Sequence, residues 1–144
     1  MSLLSTMDVS ASGLNAERVR MELIAQNIAH IETTNTDGGG PYRRKVAVFK
    51  ETLQNELNAA NNPSEFRGAG VQVSKIVVDD MPPLMVYDPQ HPDANKDGFV
   101  AKPNINLANE IVDSIAASRA YGANVTVLNA TKSLALKALT IGRG

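Results

Sequence analysis

The segment from Asp93 to Gly98 has the residue types and the spacing of half a calcium site. Its oxygen-bearing side chains and its glycine are Asp93, Asn95, Asp97 and Gly98, as in the opening D-x-[DN]-x-[DN]-G of an EF-hand loop. An EF-hand loop also needs a bidentate Glu at its twelfth position and a helix on each side. Here the twelfth residue is Asn104, and Pro92 and Pro103 occupy the places of the flanking helices. The segment therefore predicts a glycine-centred turn that leads into a strand, and a calcium-responsive module is the weaker alternative.

Other residues that could do chemistry lack partners at useful spacing. His30 and His91 are the only histidines, neither has a second ligand at metal spacing, and there is no cysteine. There is no G-x-S-x-G element, and the glycine run before Tyr42 lacks the Lys and Ser/Thr of a phosphate loop. We therefore predict no catalytic residue, no cofactor and no metal. A hydrolase acting on cell-wall polymer is a disfavoured alternative, because its cleft would have to be built within residues 35–103.

Charge and hydropathy exclude two classes of partner. The chain has 14 Lys and Arg against 15 Asp and Glu, a net charge of −1, whereas a nucleic-acid binder needs a basic surplus. No apolar run approaches the roughly 20 residues that cross a bilayer. The first residues have neither the positive region nor the sustained apolar run of a secretory signal. We predict no nucleic acid partner, no direct membrane insertion and no cleaved signal peptide.

Composition divides the chain into three parts. They are an N-terminal helix over 1–34, a β-rich and loop-rich middle segment over 35–103, and a C-terminal helix over 104–144. All seven prolines lie in the middle segment, whereas Ala, Val and Leu dominate both ends. We predict an α+β fold in which the long N- and C-terminal helices pair as an α-helical coiled coil.

The middle segment has two stretches of alternating polar and apolar residues. Tyr42–Lys50 and Val71–Val78 show the two-residue period that is typical of strands. Between them, Phe49–Ala60 could instead form a short helix, and the following residues have loop composition. Three consecutive glycines at Gly38–Gly40 predict a flexible loop before the first strand.

Apolar residues recur at helical spacing in both terminal segments. We predict that the following residues form an assembly interface: Leu4, Met7, Leu14, Met21, Ile28, Ile111, Val112, Ile115, Val125, Leu128, Leu136 and Leu139. The C-terminal band is rich in alanine, which lets another helix approach closely. Asn104 or Asn106 can cap the C-terminal helix, and Gly142 ends it.

The predicted C-terminal helix is too long for a compact monomer. At about 1.5 Å per residue it would extend roughly 57 Å. A compact domain of this size has a diameter of about 40 Å. We therefore expect the helix to be covered by the N-terminal helix and by neighbouring molecules, as in an assembly subunit. The alternative is a break near Gly122 that folds the segment into a self-contained hairpin.

Both ends of the chain resemble a known family. Ala11–Thr34, ASGLNAERVRMELIAQNIAHIETT, resembles the N-terminal helix of bacterial flagellar rod, hook and filament-junction proteins. Asn104–Gly144 resembles their C-terminal helix. Within that group, GGPYRRK at Gly39–Lys45 and the segment Tyr87–Asn104 are similar to the flagellar basal-body rod protein family, and among its members to the proximal rod subunits.

This resemblance implies a structural role in motility. In the family, the terminal helices pair as a coiled coil and build the inner tube of an axial drive shaft, and the middle segment contacts neighbouring subunits. The implied partners are other rod subunits, the adaptor between rod and membrane ring, and further copies of the chain in a helical assembly. The implied location is the periplasm-spanning rod of the basal body, reached through the flagellar type III export apparatus.

Overall fold

The computed structural model describes residues 3–53 and 68–142, and the side chains of residues 5–52 and 70–142. In chain order, one helix precedes the four strands and one helix follows them. The elements are α1 Leu3–Ala29, β1 Lys45–Leu53, β2 Gly68–Val78, β3 Leu84–Tyr87, β4 Phe99–Lys102 and α2 Leu107–Ile141. The strands form two separate antiparallel pairs, β1 with β2 and β3 with β4. The predicted α+β arrangement of helical ends around a β-rich middle is confirmed at this level.

Helix α2 begins at a side-chain cap and ends where the sequence predicts. The side-chain oxygen of Asn106 accepts hydrogen bonds from the backbone N–H groups of Ala108 at 3.0 Å and Asn109 at 3.3 Å. These are two of the donors that a helix leaves unpaired in its first turn. The other candidate, Asn104, instead donates to the carbonyl of Pro82 at 3.2 Å. The last turn ends at Gly142, whose N–H bonds to the Ala138 carbonyl at 3.1 Å.

Helix α2 is continuous, and the predicted alternative of a break near Gly122 is wrong. Its 35 residues run without interruption through Gly122, which gives a length of roughly 52 Å. A glycine inside a helix costs about 1 kcal/mol relative to alanine, which one position in a helix of this length tolerates. Thr126 donates its hydroxyl to the Gly122 carbonyl at 2.9 Å, which gives that carbonyl a side-chain donor.

The β segments confirm some sequence predictions and correct others. Strands were predicted at the positions of β1 and β2, and the turn over Asp93–Gly98 leads into β4 as predicted. The helical alternative for Phe49–Ala60 is wrong over Phe49–Leu53, which pair with β2, and its remainder lies outside the described residues. Strand β3 was not predicted, because its four residues are all apolar and show no alternation.

A close approach between β2 and α1 depends on Gly70. This residue has a φ of +113°, in a region that side-chain-bearing residues rarely adopt. A Cβ atom there would collide with the side chain of Ser12 on α1. The Ser12 hydroxyl accepts a hydrogen bond from the N–H of Val71 at 3.1 Å and donates to the carbonyl of Val9 at 2.7 Å. The β1–β2 ribbon is thereby fixed against the first half of α1.

The two helices run antiparallel along each other. Gly13 on α1 lies against Asn124 on α2, and Asn27 near the end of α1 contacts Glu110 near the start of α2. The same register places the beginning of α1 about two turns short of the end of α2. Neither helix in the described residues is long and apolar enough to cross a membrane.

The buried core is small for a chain of this length. Its apolar members are Ala16, Leu23, Ile24, Tyr42, Val100, Ile105 and Ala117. Many more large apolar side chains are exposed, on α2 and on the β strands. Burial of apolar surface is the main favourable term in folding, at about 25 cal/mol per Å². Much of the apolar surface of this chain therefore remains available for contacts with other molecules.

Candidate assembly interface

The apolar residues predicted for assembly on α2 form two groups in the structure. Five are exposed: Ile111, Val112, Ile115, Leu136 and Leu139. Val112 is 64% exposed, a large fraction for a valine. Val125 and Leu128 are half-buried. Leu107, Val127, Leu134 and Ile141, which the predicted interface does not contain, are exposed as well.

The predicted residues on α1 are in a different environment. Met7, Leu14, Met21 and Ile28 are half-buried, and the side chain of Leu4 lies outside the described residues. The buried apolar positions of α1 are instead Ala16, Leu23 and Ile24. Burial on this helix therefore follows a stripe next to the predicted one, since α1 contacts β1 and β2 as well as α2. Periodicity alone does not reveal which of two neighbouring stripes faces the larger partner.

A partly buried polar cluster joins α1, the residues at the start of β1, and α2. We call it the hinge cluster, and it consists of Arg20, Asn27, Tyr42, Arg44, Glu110 and Asp113. Glu110 is 1% exposed. Its Oε1 accepts a hydrogen bond from Nε of Arg44 at 2.6 Å, and its Oε2 accepts from Nδ2 of Asn27 at 3.1 Å. Both carboxylate oxygens are therefore paired, as burial of a charge requires.

Asn27 is the centre of the hinge cluster and uses its full hydrogen-bonding capacity. Its Nδ2 donates to Glu110 and to the carbonyl of Lys45 at 3.0 Å. Its Oδ1 accepts from the N–H of Lys45 at 2.9 Å and from the hydroxyl of Tyr42 at 3.2 Å. An amide side chain has two donor hydrogens and two acceptor lone pairs, and all four are paired here. The first residue of β1 is thereby bonded to α1 through a side chain.

Two arginines balance the two carboxylates of the hinge cluster. Asp113 accepts from Nη2 of Arg44 and from Nη2 of Arg20, each at 3.4 Å. Arg20 also lies 3.8 Å from Glu17. Burial raises the pKa of the Tyr42 hydroxyl above its ordinary value, and the negative charge of Glu110 raises it further. Buried ion pairs contribute little net stability compared with apolar packing, but breaking one is costly, so such pairs fix a register.

The segment that resembles a calcium loop is a turn between β3 and β4, as predicted. The side-chain oxygen of Asn95 accepts from the N–H groups of Asp97 and Phe99, each at 2.9 Å. A carboxylate oxygen of Asp93 accepts from the hydroxyl of Thr34 at 2.7 Å. Gly98 has a φ of +80°, which explains the glycine without a metal. Within the described ranges, no three His, Cys, Asp or Glu side chains are grouped as metal ligands.

The histidines serve local structure. The ring of His30 stacks on the ring of Tyr42, with centroids 4.8 Å apart, at the end of α1. Nδ1 of His91 accepts from the N–H of Asp93 at 3.1 Å. Nδ1 of His30 also lies 3.2 Å from the hydroxyl of Thr33. The structure therefore has two helices held in register and a long apolar surface on α2.

Comparisons with known proteins give this arrangement a class. Residues 96–141, which contain β4 and α2, match the family model described as flagellar basal body rod FlgEFG protein C-terminal. The chain is 43% identical to the flagellar basal-body rod protein FlgC of Bacillus subtilis over 150 residues, covering 99% of this chain and 100% of the relative. It is 41% identical to FlgC of Borreliella burgdorferi, with all of both chains covered. It is 38% identical to FlgC of Escherichia coli O6:H1, with 99% of this chain and 100% of the relative covered.

The molecule is therefore one of the bacterial flagellar basal-body rod proteins, structural subunits of the flagellum. Within that class the chain belongs to the FlgC family. The resemblance predicted from the two terminal segments is confirmed, and so is the structural role in motility. The polar contacts of Asn27 and Glu110 were missed by sequence reasoning, because the two residues are 83 positions apart in the chain.

Proposed function

We propose that this rod subunit assembles by packing the exposed apolar face of α2 against neighbouring subunits, while α1 and α2 of each subunit pair as a coiled coil. The observation that carries the proposal is the exposure of Ile111, Val112 and Ile115 on a helix of roughly 52 Å. A monomeric soluble protein rarely leaves a contiguous apolar surface of this kind uncovered.

In the proposed assembly, the three parts of the chain have different roles. In this proposal, residues 1–34 and 104–144 form the helical layer that lines the shaft, and residues 35–103 contact subunits outside that layer. Contacts that do not close on themselves generate a helical tube, which is the geometry that transmits torque. The subunit needs no catalytic group, metal or cofactor for this role.

The proposed partners are those that the family resemblance implies. They are other proximal rod subunits, the adaptor between rod and membrane ring, and the flagellar type III export apparatus, through which the chain would travel without a cleaved signal. Helices whose apolar faces are covered only after assembly gain much of their stability at the growing end. Folding would then be coupled to incorporation, which suits passage through a narrow channel.

Substitution of one exposed residue tests the proposal. Ile115 is half exposed in the single chain, so Ile115→Asp leaves the monomer folded but places a charge in the proposed interface. We expect normal helicity by circular dichroism, loss of basal bodies and loss of motility. Leu128→Asp, at a half-buried position of the same helix, should also abolish motility. The matched control is Asn15→Asp, which adds the same charge at an exposed polar position of α1, outside the proposed face of α2. Motility at the wild-type level in both Ile115→Asp and Leu128→Asp would refute the packing of α2.

A further inference from the structure

The β3–β4 hairpin is a two-stranded ribbon whose strands, within the described residues, bond only to each other. Val100 on one of its faces is fully buried, and Lys102 pairs with Glu32 at 2.7 Å, so part of the ribbon is already covered by its own chain. Isolated two-stranded ribbons are at best marginally stable in water. A partner on the remaining exposed surface would therefore stabilise the ribbon further.

One face of this ribbon is apolar and open to solvent. Tyr87 is paired with Phe99 and Met85 with Ala101, and directly opposed residues of antiparallel strands share a face. The three large side chains of that face, which we call the ribbon face, are Met85, Tyr87 and Phe99. Tyr87 is 66% exposed, and its ring packs edge-on against the ring of Phe99 with centroids 5.3 Å apart. On the opposite face Val100 is fully buried, while Leu84 and Val86 are 51% and 40% exposed, so the most exposed side chains, Met85 and Tyr87, lie on the ribbon face.

The surroundings of the ribbon face are acidic. Between residues 79 and 102 the chain has five aspartates and two lysines, with His91 neutral and Lys102 paired with Glu32: Asp79, Asp80, Asp88, Asp93, Asp97, Lys96 and Lys102. Asp97 is exposed in the turn beside the ribbon face. A surface that combines aromatic side chains with negative charge selects a partner that combines apolar side chains with positive charge.

The second half of α2 has those complementary properties. After Asp113 the helix contains no acidic residue, and its charged residues are Arg119, Lys132 and Lys137. The α2 patch is formed by Val127, Leu134 and Lys137. These residues share one side of the helix, because their separations of seven and three residues are close to whole turns. Leu134 is 58% exposed.

The two surfaces cannot meet within one molecule. β4 ends at Lys102 and α2 begins at Leu107, so the ribbon stands at the start of α2. Leu134 lies about 40 Å further along the helix axis. Each ribbon strand has four residues and extends only about 13 Å. The match in charge and apolar character is therefore available only between molecules.

We propose that the ribbon face of one subunit packs on the α2 patch of a second copy of this chain. This inference rests on the proposed assembly through α2 and names a particular contact within it. The contact joins two different surfaces, so it repeats from copy to copy and extends an array, where a symmetric contact would end at a dimer.

Cysteine cross-linking tests the contact directly, since the native chain contains no cysteine. Basal bodies from cells that make only the Tyr87→Cys, Leu134→Cys double variant would be oxidised and separated without reductant. We expect a ladder of dimers, trimers and larger species. Each single-cysteine variant should give at most dimers, since it has one thiol per chain. The absence of any species beyond the dimer from assembled double-variant basal bodies overturns the proposal.

Charge reversal gives an independent test in the same double-cysteine background. Asp97→Lys or Lys137→Asp alone should reduce the ladder several-fold, and the two together should restore it. Asp37→Lys is the matched control, because it makes the same change at an exposed position of the glycine loop and should leave the ladder intact. Failure of the combined variant to restore the ladder overturns the charge complementarity. If ladders fail while Ile115→Asp still abolishes assembly, the packing of α2 stands and only the ribbon contact is refuted.

Discussion

Nε of Arg44 lies 2.6 Å from Oε1 of Glu110, and this pair joins the start of β1 to the first turn of α2. Glu110 is buried whereas Arg44 is partly open to solvent, so the pair is a charge-assisted hydrogen bond at the edge of the core. Asn27 bonds to the other oxygen of the same carboxylate, which adds α1 to the junction. One carboxylate thus fixes the relative positions of the three elements that meet where the two helices leave the β segments.

Replacement of Glu110 by Gln should destabilise the folded chain. Arg44 and Asn27 donate to different oxygens of the carboxylate, and Gln has an NH2 group in place of one of them, so one donor is left unpaired and Arg44 loses its main counter-charge. We expect the free energy of unfolding to fall by about 2 kcal/mol in urea denaturation. The matched control is Glu22→Gln, which removes only an exposed pair with Arg18 and should cost less than about 0.5 kcal/mol. Equal losses in the two variants would contradict a structural role for the buried pair.

Stability should also decrease at high pH through Tyr42. Burial and the charge of Glu110 raise the pKa of this hydroxyl in the folded state above the ordinary value of 10.0. The unfolded chain therefore loses this proton first as pH rises, so unfolding becomes more favourable above pH 10 until the folded-state pKa is passed. Tyr42→Phe should remove this component of the pH dependence and cost about 1 kcal/mol at neutral pH, because the hydrogen bond to Asn27 is lost. Urea denaturation of the wild-type and Tyr42→Phe proteins at several pH values between neutrality and pH 11 measures this pH dependence. Parallel curves of unfolding free energy against pH for the two proteins would show that Tyr42 does not titrate as described.

Local patterns in the sequence were sufficient for the features that depend on neighbouring residues. The cap at Asn106, the turn over Asp93–Gly98 and the end of α2 at Gly142 each follow from side chains within a few positions. Helical periodicity was sufficient for the existence of α1 and α2. The apolar face of α2 was predictable too. Apolar residues recur at helical spacing on both its exposed and its covered side, and together they form one wide apolar band in the sequence.

The hinge cluster was not predictable in the same way. Arg44 and Glu110 are 66 positions apart, and nothing near either residue indicates the other. Glu110 by itself looks like an acidic residue placed favourably in the first turn of a helix. The buried stripe of α1, with Leu23 and Ile24, depends on how β1 and β2 lie against that helix. Such contacts belong to the tertiary arrangement, which a single sequence specifies but does not display.

The crossing of α1 and α2 at Gly13 predicts a difference between two glycines. A Cβ at Gly13 would lie 2.9 Å from Nδ2 of Asn124, whereas a Cβ at Gly122 would meet no atom within 4 Å. Both are helical, so alanine has a propensity advantage of about 1 kcal/mol at each. We expect Gly122→Ala to raise the free energy of unfolding by about that amount, and Gly13→Ala to raise it less, because Asn124 must move.

A double-mutant cycle separates these two contributions. In an Asn124→Ala background, Gly13→Ala should recover the full helix-propensity gain, which thermal and urea unfolding would show. The coupling between the two positions then measures the collision alone. An identical effect of Gly13→Ala with and without Asn124 would mean that the helices do not cross closely at this point.

The contact between Gly70 and Ser12 predicts a larger loss, because backbone and side chain are both constrained. Gly70→Ala would place a side chain at a φ of +113° and against the Ser12 hydroxyl, which itself accepts from the N–H of Val71. We expect a destabilisation of about 2 to 3 kcal/mol in urea denaturation, together with faster hydrogen exchange at Val71. Gly38→Ala is the matched control, since a Cβ there meets nothing within 4 Å and its φ is not positive. Ser12→Gly should remove the collision but not the backbone strain, so it rescues Gly70→Ala only in part. Full rescue would show that sterics alone require glycine, and no loss in Gly70→Ala would show that β2 does not approach α1 as closely as described.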